Sequence, residues 1–405
     1  MKRTRKILLW VLGVSVVLVG GAWLGVTSYV NSSYGRQAAG EQLTALVGLP
    51  VQVQSLSVGA ATTSVAFSVA DGDSKSPAAE SPPLLKVGTL ETDVSLMDLI
   101  AGRVSPTTVT AKDVDVLLRL DAENRLLSTV PKASDAGGGT AAVPVIHLTN
   151  LRVRIQQPGH PDFDLPNISG DIRPDGDGYA VTGQTDGSPW GKWAITGRLA
   201  PKTGQATITL TADDAPLNAD LLRSIPAVPP DTWDHLDPSG RTAATVTLTR
   251  RPGVGVDYNV ELRPAGGATL RFPDADATVT NVAGRVGVAA GKVKIDDGRV
   301  TLADGTVTVN GVYDFEKPDR VFATKLGAKG VDVRKLPPSW GLPDKIEGKL
   351  RGTADLQLHV TPDGKLDPRG SGTGEIVGAK FAGLDAEIQL KLNAREGRYR
   401  FETAK

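Results

Sequence analysis

Residues 292–311 read KVKIDDGRVTLADGTVTVNG, three short runs in which every second side chain is apolar. Val293 and Ile295, then Val300 and Leu302, then Val307 and Val309 fall on one side of an extended chain, while Lys, Asp, Arg and Thr fall on the other. A period of two with one wet face predicts antiparallel strands. The alternation returns downstream in ADLQLHV (354–360), with Leu356 and Leu358, and in DAEIQLKLN (385–393), with Ile388 and Leu390. Upstream it appears in VQVQSLSV (51–58), SVAFSVAD (64–71), TITLTA (207–212) and TVTLT (245–249). In VTAKDVDVLLRLD (109–121), Val114 and Val116 alternate with Asp113 and Asp115.

The chain also repeats itself at a spacing of 114 residues. Gly170, Gly191 and Gly197 recur as Gly284, Gly305 and Gly311. Ile168, Ile172, Val181 and Ile195 recur as Val282, Val286, Ile295 and Val309, and Leu222 recurs as Leu336. Glycine fills 46 of 405 positions, so the three glycines alone would carry little weight; the five apolar matches in the same frame decide it. Self-similarity without helices points to one β unit stacked on its neighbour, burying a continuous apolar face. A third copy starts where GAKF (378–381) parallels GATL (267–270), and Lys405 falls short of its glycine-bearing strands. The expectation is a fragment of a longer array.

Balanced charge, 45 Lys+Arg against 45 Asp+Glu, with no long single-sign block after residue 6, argues against the concentrated basic face that nucleic acid requires. The absence of cysteine excludes disulfides and thiolate chemistry. Residues 7–30 carry no charge and as a helix would reach about 36 Å, enough to span a bilayer. Lys2, Arg3, Arg5 and Lys6 precede this stretch and the next basic residue is Arg36, which predicts a cytoplasmic N-terminus with the bulk of the chain on the far side. The span is about twice as long as a signal-peptide core, favouring an anchor over a cleaved leader. A helix is expected in SYGRQAAGEQLTAL (33–46), closed by Gly48 and Pro50. SDAGGGTAA (134–142) reads as a flexible linker.

Catalytic and metal signatures fail on spacing and context. His147, His160, His235 and His359 lack metal-ligand spacing. Asp175-Gly-Asp177-Gly178 reads as a hairpin turn, not a calcium loop. The pairs Asp213-Asp214, Asp274/Asp276 and Asp296-Asp297 stand at strand ends, where solvated turns account for them. The glycines of 370–374 neither follow a strand nor open a helix, and Lys202-Thr-Gly204 has no Ser-x-x-Lys partner. The expectation is a non-enzyme with no cofactor and no metal.

An uncleaved anchor followed by GEQLTALVGLPVQVQSLSV and LETDVSLMDLIAGRVSPTTVTAKDVDVLLRLDAENRL resembles the N-terminal region of AsmA-like proteins. The matching positions are Leu46, Gly48, Pro50 and Val51, then Leu96, Leu99 and Gly102, then Asp121. The later NVAGRV, VTVNGVYDF and IEGKLRGTADLQL are similar to the family's repeated strands. The resemblance implies an N-terminal transmembrane helix and an elongated, twisted antiparallel β-groove in the periplasm, anchored in a bacterial inner membrane. It further implies kinship with TamB-like and bridge-like lipid transfer proteins, which carry phospholipid towards the outer membrane. The implied organisation is a cytoplasmic tail (1–6), an anchor (7–30), an AsmA-like capping region (31–133), the linker (134–142) and repeated groove units (143–405).

The apolar stripe is the positive signal. No intervening segment reads as an amphipathic helix long enough to cover it, so it packs on itself in a dry core or takes up something else. The expected occupant is the acyl chains of membrane phospholipid, lined by Val114, Val116, Ile195, Val293, Ile295, Val300, Leu302, Val307, Val309, Leu356, Leu358, Ile388 and Leu390. Roughly twenty strands stacked at about 4.8 Å would reach on the order of 100 Å. The rival is a scaffold or chaperone whose strand edges add to outer-membrane proteins during assembly, with an outer-membrane or periplasmic partner.

Overall fold

The computed structural model describes residues 32–404 except 60, 73–81, 96–105, 130–143, 188, 201, 227, 229, 231, 253–254, 290, 315–320, 341, 343–344, 361–365 and 396–397. The anchor (7–30), the linker (134–142) and the segment bearing Leu96, Leu99 and Gly102 therefore lie outside the described residues. No described helix is long and apolar enough to cross a membrane. Strand dominates throughout, and the chain divides into two compact units, Met1–Gln184 and Thr185–Lys405.

In the first unit a helix, α1 (Ser33–Val47), precedes β1 (Val51–Val58), β2 (Thr63–Val69), β3 (Leu85–Thr92), β4 (Thr108–Arg119), β5 (Val145–Gln156), β6 (Phe163–Asp175) and β7 (Gly178–Thr185). Ser32 caps α1 by accepting from the Gly35 amide at 3.3 Å. Gly48 ends it in the left-handed region (φ 74°) and donates to the Thr44 carbonyl at 2.8 Å, and Pro50 follows, as the sequence predicts. β1 to β4 pair antiparallel in chain order, and so do β5 and β6.

The β4–β5 pair is parallel, which corrects the wholly antiparallel expectation. A parallel pair needs a return crossover of a dozen or more residues, and the 120–144 connection supplies that length where the two-residue hairpin after β6 does not. Alternation along a strand reads the same in either direction, so the sequence pattern is silent on this point.

Cross-strand partners line up by residue type. Val53, Phe67, Val87, Val114, Leu151 and Ile168 form one unbroken row from β1 to β6. Val51, Val69, Leu85, Val116, Val153 and Leu165 form a second beside it. α1 sets Leu43 and Val47 against these rows, where Phe67, Val69, Val87, Ala111 and Val114 make the core. Val69 is 0 % exposed, whereas Leu148, Leu151, Val153 and Leu165 on β5 and β6 stay half-buried. The buried Asp71 accepts from Arg119 Nη2 at 2.7 Å and from the Thr129 amide at 3.0 Å, tying the end of β4 to the β2 exit.

The second unit runs through β8 (Ala194–Ala200), β9 (Gln205–Asn218), α2 (Ala219–Leu222), α3 (Thr232–His235), β10 (Asp237–Arg251), β11 (Gly255–Arg263), β12 (Ala265–Phe272), β13 (Ala277–Ala289), β14 (Lys292–Leu302), β15 (Gly305–Asp314), β16 (Val321–Asp332), β17 (Ile346–Val360), β18 (Leu366–Phe381), β19 (Leu384–Asp385), β20 (Ile388–Arg395) and β21 (Arg398–Ala404). Every pairing among the described residues of this unit is antiparallel. β11 and β12 lie end to end between β10 and β13, interrupted at Pro264, which has no N–H to continue the ladder. Short 3-10 turns at Val333–Lys335 and Pro338–Trp340 carry Val333, Leu336, Trp340 and Leu342 over one end of the sheet, where Val331, Ile346, Ile376, Ala379, Ile388 and Leu390 are packed.

The 114-residue spacing has a structural counterpart. β13 begins and ends 114 residues after β6, and the ends of β15 and β16 follow those of β8 and β9 by the same interval. Asn167 (φ 57°) and Asn281 (φ 52°) sit at equivalent β-bulges, in a conformation that Asn tolerates better than most residues. A Cβ on Gly197 would stand 2.6 Å from Ile208, and one on Gly311 would stand 2.7 Å from Phe322; Ile208 and Phe322 are themselves 114 residues apart. Gly197 and Gly311 therefore mark equivalent close approaches.

Candidate functional site

The two faces of the sheet within the second unit differ in chemistry. Ile195, Leu210, Val246, Val260, Val288, Val293, Tyr313, Phe322 and Leu358 are successive cross-strand partners on nine strands. At about 4.8 Å per strand this apolar row extends roughly 38 Å. A second row beside it holds Ala212, Ala244, Leu262, Val286, Ile295, Gly311, Thr324 and Leu356. On the opposite face Thr196, Thr209, Thr247 and Asn259 form a polar row, joined by Arg285 and Arg263 on Glu261 at 2.9 and 2.7 Å and by Lys294 on Asp296 at 3.0 Å. Val312, 41 % exposed, is an apolar exception on that face.

All the candidates of the second unit share the apolar face. Val293, Ile295, Val300, Leu302, Val307 and Val309 are half-buried, and so is Leu358. Ile195 and Leu356 are buried, and Ile388 and Leu390 belong to the core closed by the 333–342 connection, which also packs on Leu302 and Val307. In the first unit Val114 is buried beneath α1, with Val116 packed against the same cluster. Protein thus already fills the surroundings of Val114, Ile388 and Leu390. The expectation of an uncovered face fails at these two places, where the 333–342 connection and α1 pack on it.

Leu210, Val246, Val260, Val288, Tyr313 and Phe322 belong to the longest row and are not among the lining residues expected from the sequence. Leu210 and Val246 stand in TITLTA and TVTLT, so the alternation itself contains them. Tyr313 and Phe322 fall where glycine and lysine blur the period of two.

The titratable groups are engaged in local structure. His147 and Asp171 are 2.6 Å apart, as are His235 and Asp274, and the 175–178 turn joins β6 to β7 as a hairpin. Asp332 is buried and accepts from the Arg334 amide at 3.2 Å, from the Arg334 guanidinium at 3.4 Å and from Lys349 at 3.4 Å. The Arg334 guanidinium, ahead of that amide and the Lys349 charge, holds its carboxyl below the usual 3.8 despite partial desolvation. A depressed native pKa means the stabilisation is present above pH 3.8 and is lost as pH falls through the native value. Asp332 caps the turn that delivers Val333 and Leu336 to the core. The thermal midpoint is therefore expected to fall more steeply below about pH 4 in the parent than in Asp332→Asn, measured by circular dichroism from about pH 6 to about pH 3.

No family model, no curated protein and no solved structure matches this chain.

Proposed function

We propose that this chain is an AsmA-like, inner-membrane-anchored periplasmic protein whose apolar face forms a groove for phospholipid acyl chains, supporting phospholipid transport towards, or homeostasis of, the outer membrane. The observation that carries the reading is the row from Ile195 to Leu358, unbroken over nine strands and half-buried along most of its length. An acyl chain gains about 0.8 kcal/mol for each CH2 kept from water, so a typical tail needs a surface of this kind to leave a bilayer at a useful rate. In this reading residues 7–30 anchor the chain and α1 covers the apolar rows of the first unit. Catalysis plays no part in it.

The test is native mass spectrometry of the full chain extracted from membranes in mild detergent. Adducts with the masses of diacyl phospholipids are expected. A chain free of lipid under conditions that preserve its β-sheet signal would sink the reading and favour the strand-addition scaffold.

A further inference from the structure

Among the described residues from β8 to β17, outside the bulges, one charged side chain falls on the apolar face, and it is Arg250 near the end of β10. Its lateral partners are Ala206 and Val256, and one step inward Leu248 pairs with Ile208 and Tyr258. This corner is also where the face is most open: Leu248 and Tyr258 are each 39 % exposed and Val256 is 64 % exposed. Arg250 is exposed and makes no ion pair or hydrogen bond with the described residues. The contrast with its neighbour is direct, because Arg251 points to the polar face and is paired there with Asp257.

We propose that Arg250 holds the phosphate of a diacyl phospholipid whose chains lie over Leu248, Ile208 and Tyr258; this rests on the acyl-groove reading above. Charge complementarity selects the occupant. An unpaired guanidinium at the margin of an apolar surface suits an amphiphile with an anionic head, and its fork of N–H donors matches two phosphate oxygens. The face is also broad. Leu248, Val246 and Ala244 on β10, with Tyr258, Val260 and Leu262 on β11, give it three side chains along each strand. That is about 14 Å at 3.4 Å per residue, room for two chains side by side rather than one.

The full chain in detergent micelles is offered an equimolar mixture of phosphatidylglycerol and a diacylglycerol with the same acyl chains, and bound lipid is quantified by mass spectrometry. The parent is expected to retain phosphatidylglycerol about tenfold over diacylglycerol, as one charge-assisted contact to phosphate allows. Arg250→Gln should bring that ratio close to one with total bound lipid unchanged, and Arg250→Lys should restore part of it. Arg251→Gln, on the other face, should leave the ratio at the parental value. A parental ratio in Arg250→Gln overturns the proposal while leaving the acyl groove standing. Oleate displacing phosphatidylglycerol at equal concentration overturns it in favour of a single-chain carboxylate. Failure of parent and variants alike to bind either lipid removes the groove and this headgroup contact together.

Discussion

Val246→Glu is expected to strip the protein of co-purifying phospholipid, while Thr247→Glu, one residue along, retains it at the parental level. Val246 lies in the middle of the apolar row between Leu210 and Val260, and Thr247 lies on the polar face between Thr209 and Asn259. Both side chains are half-buried, so the two substitutions differ in the face they meet and little else. A carboxylate among acyl chains costs several kcal/mol unless it is protonated, whereas on the polar face it stays hydrated. Several kcal/mol corresponds to at least a hundredfold loss of retained lipid, read by mass spectrometry of the full chain in mild detergent. Both variants should keep the parental β-sheet signal in circular dichroism. Unfolding of Val246→Glu alone would argue for a dry, sealed core; equal lipid in both variants would place the acyl chains elsewhere.

Phe67→Ala is expected to cost about 3–5 kcal/mol of stability, and Leu210→Ala about 1–2 kcal/mol. Phe67 is packed beneath α1 with Val69, Val87 and Val114, so truncation opens a cavity that the sheet cannot close. Leu210 stands half-buried on the open row, already in contact with solvent on one side, and its truncation removes less buried surface. Urea denaturation midpoints in lipid-free detergent measure the difference. Adding phospholipid should widen the gap between Leu210→Ala and parent, since a ligand on that face stabilises the native state by mass action, and should leave the Phe67→Ala gap unchanged. Equal losses for the two truncations without lipid would show that Leu210 is covered as completely as Phe67.

Strands at 292–311, at 51–58 and at 354–360 are legible from the amino-acid sequence because their side chains alternate, and alternation follows from local backbone geometry. The spacing that sets β13 114 residues after β6 is equally legible, as is the end of α1 at Gly48. The apolar composition of the face comes with the alternation, and so do most of its candidate residues.

Three features depend on the tertiary structure. Nothing in residues 108–119 or 145–156 distinguishes a parallel neighbour from an antiparallel one, because strand direction is set by the path of the intervening chain. Whether Val114 or Val309 meets protein or open space depends on where α1 and the 333–342 connection come to rest, which no period of two encodes. What Arg250 and Arg251 each meet depends on the register of β10 against β9 and β11. The period of two already sets Arg250 on the face of Val246 and Leu248 and Arg251 on the other. Only pairing across the sheet shows that Arg251 meets Asp257 while Arg250 stands at an open margin. Local covalent geometry fixes which residues share a face, while contacts between distant segments fix what that face meets.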